Sequence, residues 1–182
     1  MSWEGVLFWV EHHPGLASWV QAVGSIGAIF GAFAISSGQN RRQSRLAKRN
    51  AIDRFDAYCA VIKNAVESAQ SVSSFAYNEV ADLEFRSVWD KYLSESLRTS
   101  LEAAKAILVH ELSDYKLVVY YSGLMGSIYK IHHEVEKYMA ATPTADSKPH
   151  TYDNLKQLSA MIKVDWVQFQ ERAELKRIRM KR

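Results

Sequence analysis

Residues 16–38, LASWVQAVGSIGAIFGAFAISSG, carry no charge, and Arg41, Arg42, Arg45, Lys48, Arg49 and Arg54 follow almost at once. At about 1.5 Å rise per residue, such a stretch crosses the roughly 30 Å hydrocarbon core of a bilayer as one helix. The chain is therefore expected to be a membrane protein. The stretch is poor in Leu and rich in Gly, Ala and Ser, a composition suited to packing against protein as well as lipid.

The formal net charge of +3 is small, so the placement of charge matters more than its total. Cationic residues close to a membrane helix favour the cytoplasmic side, and the preceding segment contains Glu4 and Glu11 but no Lys or Arg. This places the amino terminus outside and the rest of the chain in the cytosol of a bacterial inner-membrane protein. An acidic start and a basic run after the apolar stretch argue for a retained anchor rather than a cleaved signal peptide. Cys59 is the single cysteine, which excludes an intrachain disulfide framework and agrees with a reducing compartment. Residues 1–15, with Trp3, Leu7, Phe8 and Trp9 ahead of Pro14 and Gly15, read as an extracytoplasmic interfacial segment. Residues 16–38 are then the transmembrane helix, and residues 39–182 a cytosolic helical domain with a basic carboxyl end.

Between Gly38 and Gly123 there is no glycine, and no proline occurs until Pro143, so the membrane helix is expected to continue into the cytosolic domain. Ile52, Phe55, Cys59, Ile62, Val66, Ala69 and Ala76 recur at helical spacing and predict a packing seam, with Ser73 interrupting it. Trp89, Leu93, Leu97, Leu101, Ala104 and Leu108 predict a less regular second helix over about 82–111. Ser113 and Asp114 are suited to cap a third, whose Leu117, Tyr121, Leu124, Ile128, Ile131, Val135 and Tyr138 form the cleanest heptad in the chain. Residues 142–150, containing Pro143 and Pro149, read as a loop. Leu155, Leu158, Ile162, Phe169 and Ala173, with Trp166 beside them, mark the last helix. The fold class is all-α: one N-terminal transmembrane helix followed by a helical bundle.

On a helical projection the membrane stretch carries three stripes. Gly24, Gly27 and Gly31, continued by Ala34 and Gly38, form a small-residue seam that lets helix backbones approach, which predicts self-association. Trp19, Val23, Ile26, Phe30 and Phe33 form a bulky stripe. Ser18, Gln21, Ser25, Ala28, Ala32 and Ser36 form a small, partly polar stripe, the candidate pore lining. About eight strongly apolar residues at roughly −0.3 to −0.6 kcal/mol each supply only a few kcal/mol of insertion drive. Neighbouring helices would help retain such a span.

The remaining residues point away from an enzyme. His132 and His133 project about 100° apart on a helix, poor geometry for ligands of one metal. His110, Glu111 and Asp114 in HELSD lack the second histidine of the zinc-protease pattern. Cys59 lies on the packing seam, and no phosphate-binding glycine loop, paired-carboxylate or serine-nucleophile motif stands out. No metal or cofactor is expected. Gly123 and Gly126 interrupt the third helix and suggest close packing. At the carboxyl end Arg172, Lys176, Arg177, Arg179, Lys181 and Arg182 alternate with Leu175, Ile178 and Met180. Such a basic amphipathic end suits anionic lipid, a nucleic-acid backbone or a partner helix. Arg41, Arg42 and Arg45 with Arg177, Arg179 and Arg182 are the candidate anion-binding set.

The pattern WVQAVGSIGAIFGAF followed by QNRRQ resembles short bacterial and prophage-associated proteins that join one membrane helix to a cytosolic helical domain. Among these, anti-phage membrane effectors of the Hailong type are similar in architecture over residues 16–43. That resemblance implies an oligomeric channel controlled by a DNA oligomer. The expectation is thus a homo-oligomeric channel or membrane-disrupting effector, bound in membrane lipid and gated through its helical domain by an oligonucleotide or other anionic regulator. The alternative is a non-conducting anchor that recruits a protein partner or tethers nucleic acid.

Overall fold

The computed structural model describes residues 14–141 and 147–181, and every regular element among them is helical. Four helices follow one another: α1 (Pro14–Tyr77), α2 (82–105), α3 (Tyr115–Ala140) and α4 (Ser147–Lys181). The all-α expectation holds. The chain divides into two compact units, Met1–Arg49 and Asn50–Arg182, so the basic residues 41–49 belong with the membrane-length stretch.

α1 begins at Pro14, two residues before the expected start of the membrane helix. Proline suits a first helical turn because the N–H it lacks has no intrahelical acceptor there. Residues 1–13, with the aromatic segment read as interfacial, lie outside the described residues. As the absence of helix breakers predicts, α1 runs unbroken to Tyr77. It stops without glycine: Val80 N–H reaches the Phe75 carbonyl at 3.2 Å, and Glu79 takes the left-handed conformation at φ 51°. This is the geometry of a glycine-type helix stop, held here by a residue with a side chain.

In the second unit, Phe55, Ile62, Val66, Ala69 and Ala76 of α1 are buried, as their spacing predicts. Ser73 is buried too, and its hydroxyl donates to the Ala69 carbonyl at 3.0 Å, which removes the penalty of a lone hydroxyl in the core. The complete α3 heptad from Leu117 to Tyr138 is buried. Asp114 caps α3, accepting from the N–H groups of Lys116 and Leu117. In α4, Leu155, Ile162, Phe169 and Ala173 face the core.

Two helix boundaries differ from expectation. The second helix ends at Lys105, not near 111. Leu108 is 58% exposed, and a 3₁₀ turn over Val109–Leu112 leads to Ser113 at φ 51°. Within 82–105, Phe85, Trp89, Leu93, Leu97 and Leu101 recur every fourth residue, which drifts by about 40° per step in a regular α-helix. The wider π-helical turn Trp89–Leu93 absorbs that drift and keeps Phe85, Trp89, Leu97 and Leu101 buried. α4 begins at Ser147, so Pro149 and His150 belong to its first turn rather than to a loop, again where proline costs no hydrogen bond. The remainder of the expected loop, 142–146, lies outside the described residues.

α3 and α4 run antiparallel, with Asp114 beside Arg172, Tyr120 beside Gln168 and Glu134 beside Asn154. They approach so closely at Gly123 that an added Cβ would stand 2.6 Å from Asp165 Oδ2. Gly123 thus meets the expectation of close packing, whereas Gly126 has nothing within 4 Å of its Cβ position.

The helix ends are tied by side chains. Arg86 donates to the carbonyls of Met139 (2.9 Å) and Tyr138 (3.1 Å) at the end of α3, and pairs with Asp82 at 3.0 Å. Tyr121 donates to the last-turn carbonyl of Ala104 at 2.7 Å. Phe85 stacks on Phe75 and Tyr138 within this end of the bundle, and Tyr152 meets its edge.

Candidate functional site: the exposed membrane-length helix

From Gln21 to Ser36 every side chain of α1 is exposed, including Phe30 at 72%. None of the most apolar window of this helix is buried within the chain, and its length and composition suffice to cross a membrane. An uncovered apolar surface of this extent requires lipid, protein or both around it.

Gln21, Ser25, Ala28, Ala32 and Ser36 share one exposed face of α1, while the side chain of Ser18 lies outside the described residues. Ser25 donates its hydroxyl to the Gln21 carbonyl at 2.8 Å, so this hydroxyl is satisfied by its own helix. Gly24, Gly27 and Gly31 have nothing within 4 Å of their Cβ positions. Their small size therefore has no explanation inside the protomer. A glycine in a helix interior costs about 0.5–1 kcal/mol relative to alanine.

The expected anion-binding residues divide. Arg41, Arg42 and Arg45 are exposed along α1; Arg41 and Arg45, four residues apart, share a shallow polar surface with Ser37, Asn40 and Ser44. Arg177 is held by Asp56, with Nε and Nη2 each 2.8 Å from Oδ1, and by Glu174. Two carboxylates thus neutralise the cation that the sequence assigned to a ligand. Arg179 is exposed, and Arg182 lies outside the described residues. The neighbouring Lys176 donates to the Leu112 carbonyl and lies 4.4 Å from the Phe55 ring centroid; burial depresses its pKa.

Within the second unit, a groove of about 630 Å³ is lined by Asp56, Cys59, Lys63, Trp166, Gln170 and Arg177 among others. Burial pushes the Cys59 thiol up to about 11, with Arg177 opposing, so the thiol is neutral at physiological pH and is no activated nucleophile. Among the described residues no group of three His, Cys, Asp or Glu side chains could hold a metal ion. The HELSD residues serve the fold: Glu111 pairs with Arg54 at 3.6 Å, and Asp114 caps α3 while pairing with Arg172 at 2.8 Å. His132 turns toward Trp89, with ring centroids 6.1 Å apart, whereas His133 stacks on Tyr129.

Sequence reasoning missed the tertiary pairs Asp114–Arg172 and Asp56–Arg177, because partners 58 and 121 positions apart leave no local signal. The i,i+4 spacings of Lys63 with Glu67, Asp82 with Arg86 and Arg98 with Glu102 signal only pairs within one helix. Comparison of this chain with protein-family models, curated proteins and solved structures finds no match. The likeness to anti-phage effectors therefore rests on residues 16–43 alone.

Proposed function

We propose that this protein is a homo-oligomeric channel or membrane-disrupting effector of the bacterial inner membrane, with its amino terminus outside and its helical bundle in the cytosol. The observation that carries this reading is the wholly exposed apolar helix, with glycines at 24, 27 and 31 that touch nothing within the protomer. Close helix approach gives those glycines a role, and it brings copies of the Gln21–Ser36 stripe together around an axis. The bundle then holds the assembly and transmits a signal. Arg41, Arg42 and Arg45 are cations suited to receive an oligonucleotide or other anionic regulator; several copies gathered together multiply a weak local charge. Anti-phage defence is the setting to which the resemblance of residues 16–43 points.

Planar-bilayer recording on the purified full-length protein tests this directly. The wild type is expected to conduct, and Gln21→Leu with Ser25→Leu to abolish or strongly reduce the conductance. Conductance unchanged in both variants would remove the assigned lining.

One observation favours a second reading, a non-conducting anchor that recruits a protein or tethers nucleic acid. The Ser25 hydroxyl is already satisfied by the Gln21 carbonyl and so needs neither water nor a neighbouring helix. Absence of dye leakage from proteoliposomes, together with full membrane retention, is the outcome that supports this anchor.

A further inference from the structure

The outward face of α3 repeats as regularly as its buried face. Residues 115, 119, 122, 126, 129, 133 and 137 are all exposed and step by 4, 3, 4, 3, 4 and 4, with Tyr115 78% exposed. On α4, residues 175, 171, 168, 164, 161, 157 and 153 are all exposed and step, in the reverse direction, by the same 4, 3, 4, 3, 4 and 4, with Val164 64% exposed. Two outward seams of equal length and matching step, on helices already antiparallel to each other, are exposed.

We propose that the outward seam of α3 docks against the outward seam of α4 in a second copy of this chain. The inference rests on the homo-oligomeric reading above and supplies the contact that the bundle contributes to it.

Register supplies the first argument. The contacts of Tyr120 with Gln168 and of Gly123 with Asp165 fix which residues of α3 and α4 stand at equal height. Copies related by rotation about an axis along the bundle keep those heights. Across such a contact Tyr115 faces Leu175, Tyr129 faces Met161, and Gly126 faces Val164, each two residues, or about 3 Å along the axis, from the register inside the protomer. At these three positions apolar groups fall opposite apolar groups, while Val119 falls opposite Glu171; the methionine sulfur faces an aromatic ring, a favourable contact.

Gly126 is the second argument. It lies in the interior of a 26-residue helix, and nothing stands within 4 Å of its Cβ position. A β-branched residue of the neighbouring copy opposite it accounts for the missing side chain.

Charge is the third. Lys130 and Lys137 on the α3 side, and Asp153 and Glu171 on the α4 side, form no ion pair among the described residues. The seam of α3 is rimmed by cations, including Lys105, whose ammonium sits 4.8 Å from the Tyr129 ring centroid. That of α4 carries carboxylates at both ends of its apolar stretch. With the same two-residue offset Lys137 stands opposite Asp153. A face of one kind meeting a face of the other kind is a head-to-tail contact, which closes into a ring when the rotation permits.

Cysteine crosslinking of the full-length protein in native vesicles tests this, in a Cys59→Ala background. Gly126→Cys and Val164→Cys chains carrying different tags are co-expressed and treated with a short bismaleimide. The expected result is a mixed-tag dimer, with neither variant crosslinking to itself when expressed alone. Self-crosslinking of either variant would overturn the head-to-tail contact. Ala28→Cys in the membrane stretch monitors assembly itself. If Ala28→Cys crosslinks and the mixed pair does not, the bundle contact is wrong while the oligomer stands; if the mixed pair crosslinks and Ala28→Cys does not, the bundle contact stands and the contact through the membrane-length helix is wrong. Gly126→Leu separates assembly from folding. It should lose the oligomer band on a native gel while the single chain melts no lower than the wild type, and retention of that band would also overturn the proposal.

Discussion

At the scale of single residues, the strongest constraints sit at chain reversals made without glycine. Glu79 holds φ 51° at the end of α1, a conformation that a side chain makes costly and glycine adopts freely. Its largely exposed carboxylate approaches Lys156 at 3.9 Å, an ion pair that contributes little. Glu79→Gly is therefore expected to stabilise the folded protein by about 0.5–1 kcal/mol, read as a higher urea midpoint. Asp114 is the opposite case, because it caps α3 and also pairs with Arg172. Asp114→Ala is expected to cost about 1–2 kcal/mol, the range of a lost cap. The Arg172 hydrogen bonds, ahead of the cap N–H groups, hold the Asp114 carboxyl below its ordinary range. A depressed carboxyl contributes stability that is complete above its unfolded pKa of about 4 and disappears as pH falls through the folded value. Urea midpoints between pH 6 and pH 3 should thus fall more steeply in the wild type than in Asp114→Asn, and equal slopes would refute the linkage. Cys59, pushed up to about 11, should resist iodoacetamide at pH 8 until the protein is unfolded. Labelling at the rate of a free thiol would contradict its burial.

At the scale of elements, legibility followed locality. The α3 heptad, its Asp114 cap and the unbroken course of α1 were readable because each depends on spacing along one helix. The ends of α1 and α2 were not readable. That of α1 is set by left-handed Glu79, which carries none of the breaker chemistry by which turns are recognised, and that of α2 falls at Lys105 with right-handed Ala106 after it. The π turn at Trp89–Leu93 was visible only as irregularity in an every-fourth-residue repeat. Of the expected anion set, Arg177 could not be read correctly, because its partner Asp56 lies on another helix. The two glycines of α3 looked alike in sequence, and packing distinguishes them. An alanine methyl at 123 would stand 2.6 Å from the Asp165 carboxylate, whereas one at 126 meets nothing. In detergent-dispersed single chains Gly126→Ala should therefore raise stability by about 0.5–1 kcal/mol through backbone entropy, and Gly123→Ala should fall short of that gain. Equal gains in thermal denaturation would show that α3 and α4 are not pressed together at Gly123.

At the scale of the whole molecule, the proposed membrane role of residues 16–38 would place two demands on their glycines that point in opposite directions. The apolar residues of this stretch provide only a few kcal/mol of insertion drive, so replacing Gly27 and Gly31 by leucine strengthens partition into lipid. The same replacement fills the surface through which backbones approach, and so weakens association. A simple anchor responds to the first effect alone: Gly27→Leu/Gly31→Leu stays in the membrane fraction and loses nothing measurable. An assembly built on the glycine seam responds to both. The double variant is then retained in membranes at least as well as the wild type, its mass in detergent falls toward that of one protomer, and leakage from proteoliposomes falls with it. Light scattering and dye release on the same preparation read the two effects independently. Reduced mass with undiminished leakage would detach the conducting path from the glycine contact, and unchanged mass would return α1 to the role of a solitary span.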